Sequence, residues 1–174
     1  MIIDGMDKKK CNLPSFAANG SKKQREGSRG GLKQSVVGVK VHGICNHLYI
    51  CHPNTKNGAG SNATIEVLRR TLVYLDKRSP NMPPTLHLQL DNCGGENKNK
   101  YMFSFLSYLV QVGIFQEILV SFLIVGHTHE DIDQHFSVIS RELRRKNAVT
   151  PSEWDGLIHG AFQDAHHRPT IKKG

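Results

Sequence analysis

The chain has 174 residues, of which 38% are hydrophobic, and these figures predict a single globular domain with one substantial core. It carries 23 Lys and Arg against 15 Asp and Glu, a formal net charge of +8, which favours a polyanionic partner such as nucleic acid. The four cysteines contain no C-x-x-C pair, so a zinc ribbon and a disulfide framework are both disfavoured. Neither a membrane span nor a signal peptide is visible, and we expect an intracellular or nuclear protein without a membrane partner.

The first half of the chain predicts three strands and a helix. Residues Met1 to Asp4 are apolar up to the acidic residue, which indicates the end of a strand that would begin upstream. Two strand-like runs, 36–41 and 47–51, flank turn residues and predict a hairpin. From Asn62 onward, apolar side chains recur at helical spacing until a proline-rich stretch, so we expect the first helix there.

The second half predicts alternating strands and helices. A strand over 85–91 ends in a tight turn, and a helix over about 96–112 follows it. The continuous apolar run 118–125 predicts a strand that is covered on both faces. A third helix is expected over 129–146, and a capping box at Thr150 opens a fourth. The predicted order is therefore three strands, then helix, strand, helix, strand, helix, and one further helix.

The segment 8–33 holds most of the excess positive charge, with eight basic residues and one acidic residue. It also contains several Gly and Ser residues, which favours a mobile loop that can lie along phosphates. A solvated loop without any ligand is the alternative interpretation. The candidate nucleic-acid-binding residues of this segment are Lys22, Lys23, Arg25, Arg29 and Lys33.

Three acidic residues occupy positions suited to a two-metal site for phosphoryl transfer. Asp4 and Asp91 each follow an apolar strand directly, and parallel neighbouring strands would bring them to the same sheet edge. Asp133 lies early in the helix after the last strand, from which a third carboxylate can approach. Divalent ions of such sites take carboxylate oxygens as ligands. A turn or N-cap role would explain any one of these residues taken alone.

Three motifs resemble the RNase H-like catalytic core of DDE transposases and integrases. Ile2-Ile3-Asp4-Gly5 resembles the first strand of that core, and the segment 90–97 resembles its second-acid segment. The segment 126–136, with Gly-His-Thr, a spaced Asp and a Phe, is similar to the signature of a group of eukaryotic mobile-element proteins. That group is often described only as a domain of unknown function. The resemblance extends from Ile2 to about Lys146.

The resemblance implies an α/β fold with a five-stranded mixed sheet, three antiparallel strands followed by two parallel ones, and helices on both faces. The core would cover 1–148 with 8–33 as an insertion, and 149–174 would form a C-terminal helix and tail. The implied function is metal-dependent phosphoryl transfer on DNA, with a two-metal site of Mg²⁺ or Mn²⁺ and self-association left open. Two alternatives remain: a catalytically inactive nucleic-acid-binding module derived from a transposon, and an RNase H-like nuclease.

The third acid and the first acid each have competitors. Glu130 is the alternate to Asp133, and Asp131 is disfavoured because it points about 160° away from Asp133 around a helix. Asp133 is preferred since it matches the spaced Asp of the signature. Asp7 is the alternate to Asp4, because it follows the same strand.

The histidines around the third motif allow a second interpretation. A zinc site could use His127, His129, Asp133 and His135. We favour a contact from His127 to a phosphate, or a turn-capping role. Asn92 and Asn97 follow the second acid and are candidates for orienting it or for contacting nucleic acid, although turn and N-cap roles explain them as well.

Overall fold

The structure, a computed structural model, describes residues 1–17, 31–52, 60–79, 81–122, 131–162 and 169–173. The strands in these residues are β1 (Ile2–Gly5), β2 (Asn12–Leu13), β3 (Leu32–Lys33), β4 (Ser35–Val41), β5 (Cys45–Cys51), β6 (Thr85–Leu90), β7 (Glu117–Phe122) and β8 (Thr170–Lys173). The α-helices are α1 (Gly60–Arg78), α2 (Lys100–Gln111), α3 (Asp131–Leu143) and α4 (Pro151–Gly160). A short 3₁₀ helix, Lys8–Lys10, follows β1.

A six-stranded mixed sheet forms the centre of the fold, in the order β7-β6-β1-β4-β5-β8. β1 pairs antiparallel with β4, and β4 pairs antiparallel with β5. β6 runs parallel to both of its neighbours, β1 and β7. The prediction of three antiparallel strands followed by two parallel strands is therefore confirmed. The short strands β2 and β3 pair with each other outside this sheet.

The predicted number of five strands is wrong by one. β8 pairs in parallel with β5 and forms the sixth strand of the sheet. It lies within 149–174, where we expected only a helix and a tail. Four residues with two lysines among them give no alternation long enough to indicate a strand. The strand forms because the outer edge of β5 offers its backbone groups for pairing.

The prediction that the strand after α2 is covered on both faces is also wrong. β7 is the outer strand of the sheet, and its residues alternate between exposed and half-buried positions. Ile118 and Val120 pack against the core, whereas Leu119 on the other face is 44% exposed. A continuous apolar run does not distinguish an edge strand from a central one.

Helices cover both faces of the sheet, as the resemblance implies, and the described helices are divided two to each face. α1 and α2 cover one face, where the core includes Ile3, Val37, Tyr49, Leu68, Leu88, Leu90, Met102 and Leu106. α3 and α4 cover the other face, where the core includes Ile2, Val36, Leu48, Ile50, Ile132, Phe136, Ile139 and Trp154. Each helix thus buries one apolar side against the sheet. In the described part of the chain no helix is long and apolar enough to cross a bilayer.

Side-chain caps set the starts of α2 and α4. Asn99 is the N-cap of α2, and its side chain accepts hydrogen bonds from the backbone of Tyr101 and Met102. This helix therefore begins four residues later than the sequence indicated, after a turn. The capping box predicted at Thr150 is confirmed, because its side chain accepts from the backbone of Glu153 and the Glu153 carboxylate accepts in return.

His47 makes the stability of the sheet depend on pH. It lies on β5 with 1% exposure, and neither of its ring nitrogens has a hydrogen-bond partner among the described residues. Burial, with a smaller contribution from Lys172, lowers the pKa of His47 from 6.5 to about 4. The unfolded chain therefore takes up the proton first, and the free energy of unfolding should fall as the pH drops from about 6.5 to about 4.

We expect this fall to be on the order of 3 kcal/mol for His47 alone. Chemical denaturation across that pH range measures it. His47→Phe should make the pH dependence shallower, whereas His159→Phe at an exposed position of α4 should leave it as in the original chain. Equal pH profiles for the original chain and His47→Phe would contradict the assignment.

Candidate metal and nucleic-acid site

Asp4 and Asp91 stand at the ends of two neighbouring parallel strands. In the pairing of β1 with β6, Ile3 lies opposite Leu90; the next residue in β1 is Asp4, and the residue that follows β6 is Asp91. Neighbouring strands are about 4.8 Å apart. The two carboxylates are therefore attached to adjacent backbone positions on two interior strands of the sheet. They lie near the carboxyl-terminal ends of these strands, where ligands of open α/β sheets usually bind.

Asp4 faces the side of the sheet that is covered by α3. Its cross-strand partner on β4 is Gly38. A Cβ atom at Gly38 would lie 2.6 Å from Cγ2 of Ile132 and 3.3 Å from Cζ of Phe136, both on α3. Directly paired residues of a sheet point to the same face. Asp133 follows Ile132 in the same helix, so the first and third acids belong to one side of the sheet.

Asp91 is held by its own turn. The backbone N–H of Cys93 donates to Oδ1 of Asp91, and Nδ2 of Asn97 donates to the same oxygen at 3.4 Å. Asn97 is 5% exposed, and among the described residues its own Oδ1 has no hydrogen-bond partner. No described group donates to Oδ2 of Asp91. That oxygen is a hard donor which a divalent cation can use.

The turn between β6 and α2 is fixed to the segment after β1. The backbone N–H groups of Asn97 and Lys98 both donate to the carbonyl of Cys93, at 2.8 and 2.9 Å. The ammonium group of Lys8 forms an ion pair with Glu96. Asn92 is exposed on this turn. Its position suits a contact to a bound polymer, whereas Asn97 acts on Asp91 itself.

Asp133 does not complete a three-residue ligand group. Over the ranges that the structure describes, no three His, Cys, Asp or Glu side chains lie close enough together to hold one metal ion. Asp133 is half-buried and lines an open cavity of about 450 Å³. The structure thus gives adjacent positions to Asp4 and Asp91 and sets Asp133 on the helix that packs over the same face.

The cavity beside Asp133 was not foreseen from the sequence. Its lining residues are Lys10, Asp133, Phe136, Ser137, Ser140, Arg141, Arg144 and Arg145, and we call it the α3 groove. From the sequence alone, the arginines near the end of this helix are explained as cations that interact favourably with the C-terminal end of the helix dipole. The sequence feature that could have indicated the groove is the recurrence of polar and basic residues every three or four positions along α3.

The ends of the segment 8–33 contain secondary structure, whereas the sequence predicted a mobile loop over the whole segment. Cys11 and Leu13 are buried in the core beneath α3 and α4. β2 and β3 pair with each other, with Leu13 opposite Leu32 and Asn12 opposite Lys33. Lys33 itself is exposed. The side chains of Cys11 and Leu13 are buried in the core, and this burial holds the start of the basic segment against the domain despite its positive charge.

Several candidate residues lie outside the described ranges. They are Lys22, Lys23, Arg25, Arg29, His127, His129 and Glu130. Two further candidates, Asp7 and His135, lie within the described ranges. Asp7 is exposed and lies beyond the end of β1, where its backbone carbonyl accepts from Lys10 N–H. The ring of His135 packs against the ring of Phe162 at 5.7 Å.

A family model described as a domain of unknown function (DUF7869) matches residues 24–173. The chain belongs to the DUF7869 family. The DUF7869 match contains Asp91 and Asp133, whereas β1 with Asp4 lies before the matched residues. In the sheet, however, β1 lies between two strands of the matched region, β6 and β4. No curated protein matches the chain, and no solved structure matches it.

Proposed function

We propose that this chain carries an RNase H-like core of the kind found in DDE transposases and integrases, and that it catalyses metal-dependent phosphoryl transfer on DNA. One observation carries the proposal. Asp4 lies in β1 and Asp91 follows β6, each directly after the paired residues Ile3 and Leu90 of these two parallel strands. The strand order, three antiparallel and then two parallel, supports the assignment of the fold.

The residues at this edge suit Mg²⁺ or Mn²⁺. Asp4 and Asp91 would hold the ion through carboxylate oxygens, the hard donors that these ions prefer, and Asp133 would supply a further oxygen from α3. A two-metal site would need all three. Bound divalent ions supply Lewis acidity toward the phosphate and a nucleophile at neutral pH.

The side chains around Asp91 would keep this acid in one orientation. Cys93 N–H and Asn97 Nδ2 both donate to its Oδ1, which directs Oδ2 away from the turn. Hydrogen bonds to a ligating carboxylate fix its position and tune its affinity for the ion. The net charge of +8 supports DNA as the partner, because it attracts phosphates before any specific contact forms.

A non-catalytic nucleic-acid-binding module is the second candidate. The observation that favours it is that the described part of the chain holds no three-ligand group of His, Cys, Asp or Glu. Such a module would bind DNA equally well with or without a divalent ion, and it would cleave nothing.

Nicking of supercoiled plasmid by the full chain distinguishes the two candidates. We expect Mg²⁺ or Mn²⁺ to support nicking and EDTA to abolish it. An RNA–DNA hybrid supplied as a competing substrate separates a transposase-like enzyme from an RNase H-like nuclease, which would prefer the hybrid. DNA binding without any cleavage, in the presence of either ion, would overturn the catalytic proposal.

Asn97→Ala should lower the affinity of the site for the metal ion, while the chain stays folded. Loss of the hydrogen bond to Asp91 should raise the Mg²⁺ concentration for half-maximal nicking by about 10–100-fold. Asn99→Ala in the same turn is the matched control. It removes the N-cap of α2 and should lower stability by about 1 kcal/mol with an unchanged Mg²⁺ requirement. Equal Mg²⁺ requirements in both variants would contradict the role of Asn97.

A further inference from the structure

The α3 groove carries an excess of positive charge beside Asp133. Four of its lining residues are cations and one is an acid. Among the described residues, the salt bridges of this helix region join Glu142 to Arg145 and to Lys146, at 3.7 and 3.3 Å. Arg141 and Arg144 take part in neither of them. Their guanidinium groups are exposed and therefore attract an anion from solution.

The polar residues of the groove form one row along α3. Ser137, Ser140 and Arg141 share one side of α3, and Arg144, the first residue after α3, continues the row because its backbone N–H donates to the carbonyl of Ser140 at 3.2 Å. From Ser137 to Arg144 the helix rises by about 10.5 Å. One strand of B-form DNA carries a phosphate about every 3.4 Å along its axis, so the row matches about three phosphates.

The lining of this row suits the phosphates of a nucleic acid better than a peptide. Arginine forks bind phosphate and carboxylate oxygens alike, and serine hydroxyl groups donate to either, so the distinction comes from the rest of the lining. A peptide would also need apolar pockets for its side chains, and the apolar lining residue of the groove, Phe136, is only 7% exposed. The groove is thus a charged and polar channel without an apolar anchor.

We propose that the α3 groove binds the sugar-phosphate backbone of a DNA strand over about three nucleotides, with Lys10, Arg141 and Arg144 as the main phosphate contacts. The groove then holds the strand next to Asp133, on the side of the sheet that Asp4 faces. The identity of the ligand as DNA rests on the proposed function. The binding step itself requires neither a metal ion nor cleavage.

The test compares two double variants that remove the same charge. Arg141→Gln/Arg144→Gln removes two cations of the groove, and Lys77→Gln/Arg78→Gln removes two exposed cations of α1 that do not line it. Binding of a labelled DNA duplex is measured by fluorescence anisotropy across a range of salt concentrations, with EDTA present. Thermal melting verifies that all variants fold.

For the groove variant we expect the slope of log K against log salt to become shallower by about 2. Its Kd at about 0.1 M salt should rise at least about tenfold. The control variant should keep a steeper slope and a lower Kd than the groove variant. Equal slopes for the two variants would overturn the proposal, and so would displacement of the DNA by polyglutamate at the same charge concentration.

The result of this DNA-binding test does not depend on whether the chain cleaves DNA. If the groove variant loses DNA binding but no chain cleaves DNA with Mg²⁺ or Mn²⁺, the groove assignment stands and the catalytic proposal fails. If the original chain cleaves DNA and both double variants bind it equally, the catalytic proposal stands and the groove assignment fails.

Discussion

The Asp91→Asn variant should lose metal-dependent nicking of DNA by at least about a hundredfold. Loss of a group that only orients a metal ligand costs 10–100-fold in metal affinity or activity, and a direct ligand should cost at least the upper end of that range. Asn is similar in size to Asp but has one carboxylate oxygen fewer and no charge. The initial rate of plasmid nicking at saturating Mg²⁺ measures the effect.

Asp76→Asn is the matched control for this variant. Asp76 is an exposed acid in the last turns of α1, and it loses the same charge. It should nick DNA at the rate of the original chain. DNA binding in EDTA should be unchanged or slightly tighter in both variants, because each removes one negative charge. Nicking by Asp91→Asn at the rate of the control would show that Asp91 takes no part in catalysis.

Gly38→Ala should lower both stability and nicking. The added Cβ would approach Cγ2 of Ile132 to 2.6 Å, so α3 must shift away from the sheet or Ile132 must change its conformation. Overpacking of this kind costs about 1–3 kcal/mol. A shifted α3 also moves Asp133 relative to the edge where Asp4 lies. Chemical denaturation measures the stability, and plasmid nicking measures the effect on the site.

A double-mutant cycle separates this contact from a general effect of the substitution. Ile132→Ala removes Cγ2 and should recover part of the loss in Gly38→Ala, so the two changes should not be additive. Gly156→Ala is the control, because a Cβ there meets no atom within 4 Å and α4 gains a better helix former. Additive losses in the Gly38 and Ile132 cycle would contradict direct contact.

The sequence predicts the central elements well because their signals are local. Alternation of apolar residues indicates β6, the apolar period indicates α1 and α3, and a capping box marks the start of α4. The location of Asp4 near the end of β1 and of Asp91 directly after β6 also follows from the local apolar runs. These features depend on neighbouring residues, and tertiary packing does not override them.

The remaining features depend on contacts between distant residues. β8 exists because β5 offers an open edge for pairing, and β7, at the other end of the sheet, keeps one face with Leu119 exposed. The α3 groove joins Lys10 to arginines at the C-terminal end of α3 and just beyond it, more than one hundred positions later in the chain. Spacing along the chain cannot reveal such neighbours. The helical spacing of Ser137, Ser140 and Arg144 shows only that α3 supplies one wall.

Binding of Mn²⁺ to the full chain, measured by isothermal titration calorimetry, tests most directly whether Asp4 and Asp91 act together. We expect the original chain to bind the ion, and Asp4→Asn and Asp91→Asn each to weaken binding at least about tenfold. Because both acids would hold the same ion, the double variant should lose little more than either single variant. Affinity equal to that of the original chain in either single variant would contradict a shared metal site.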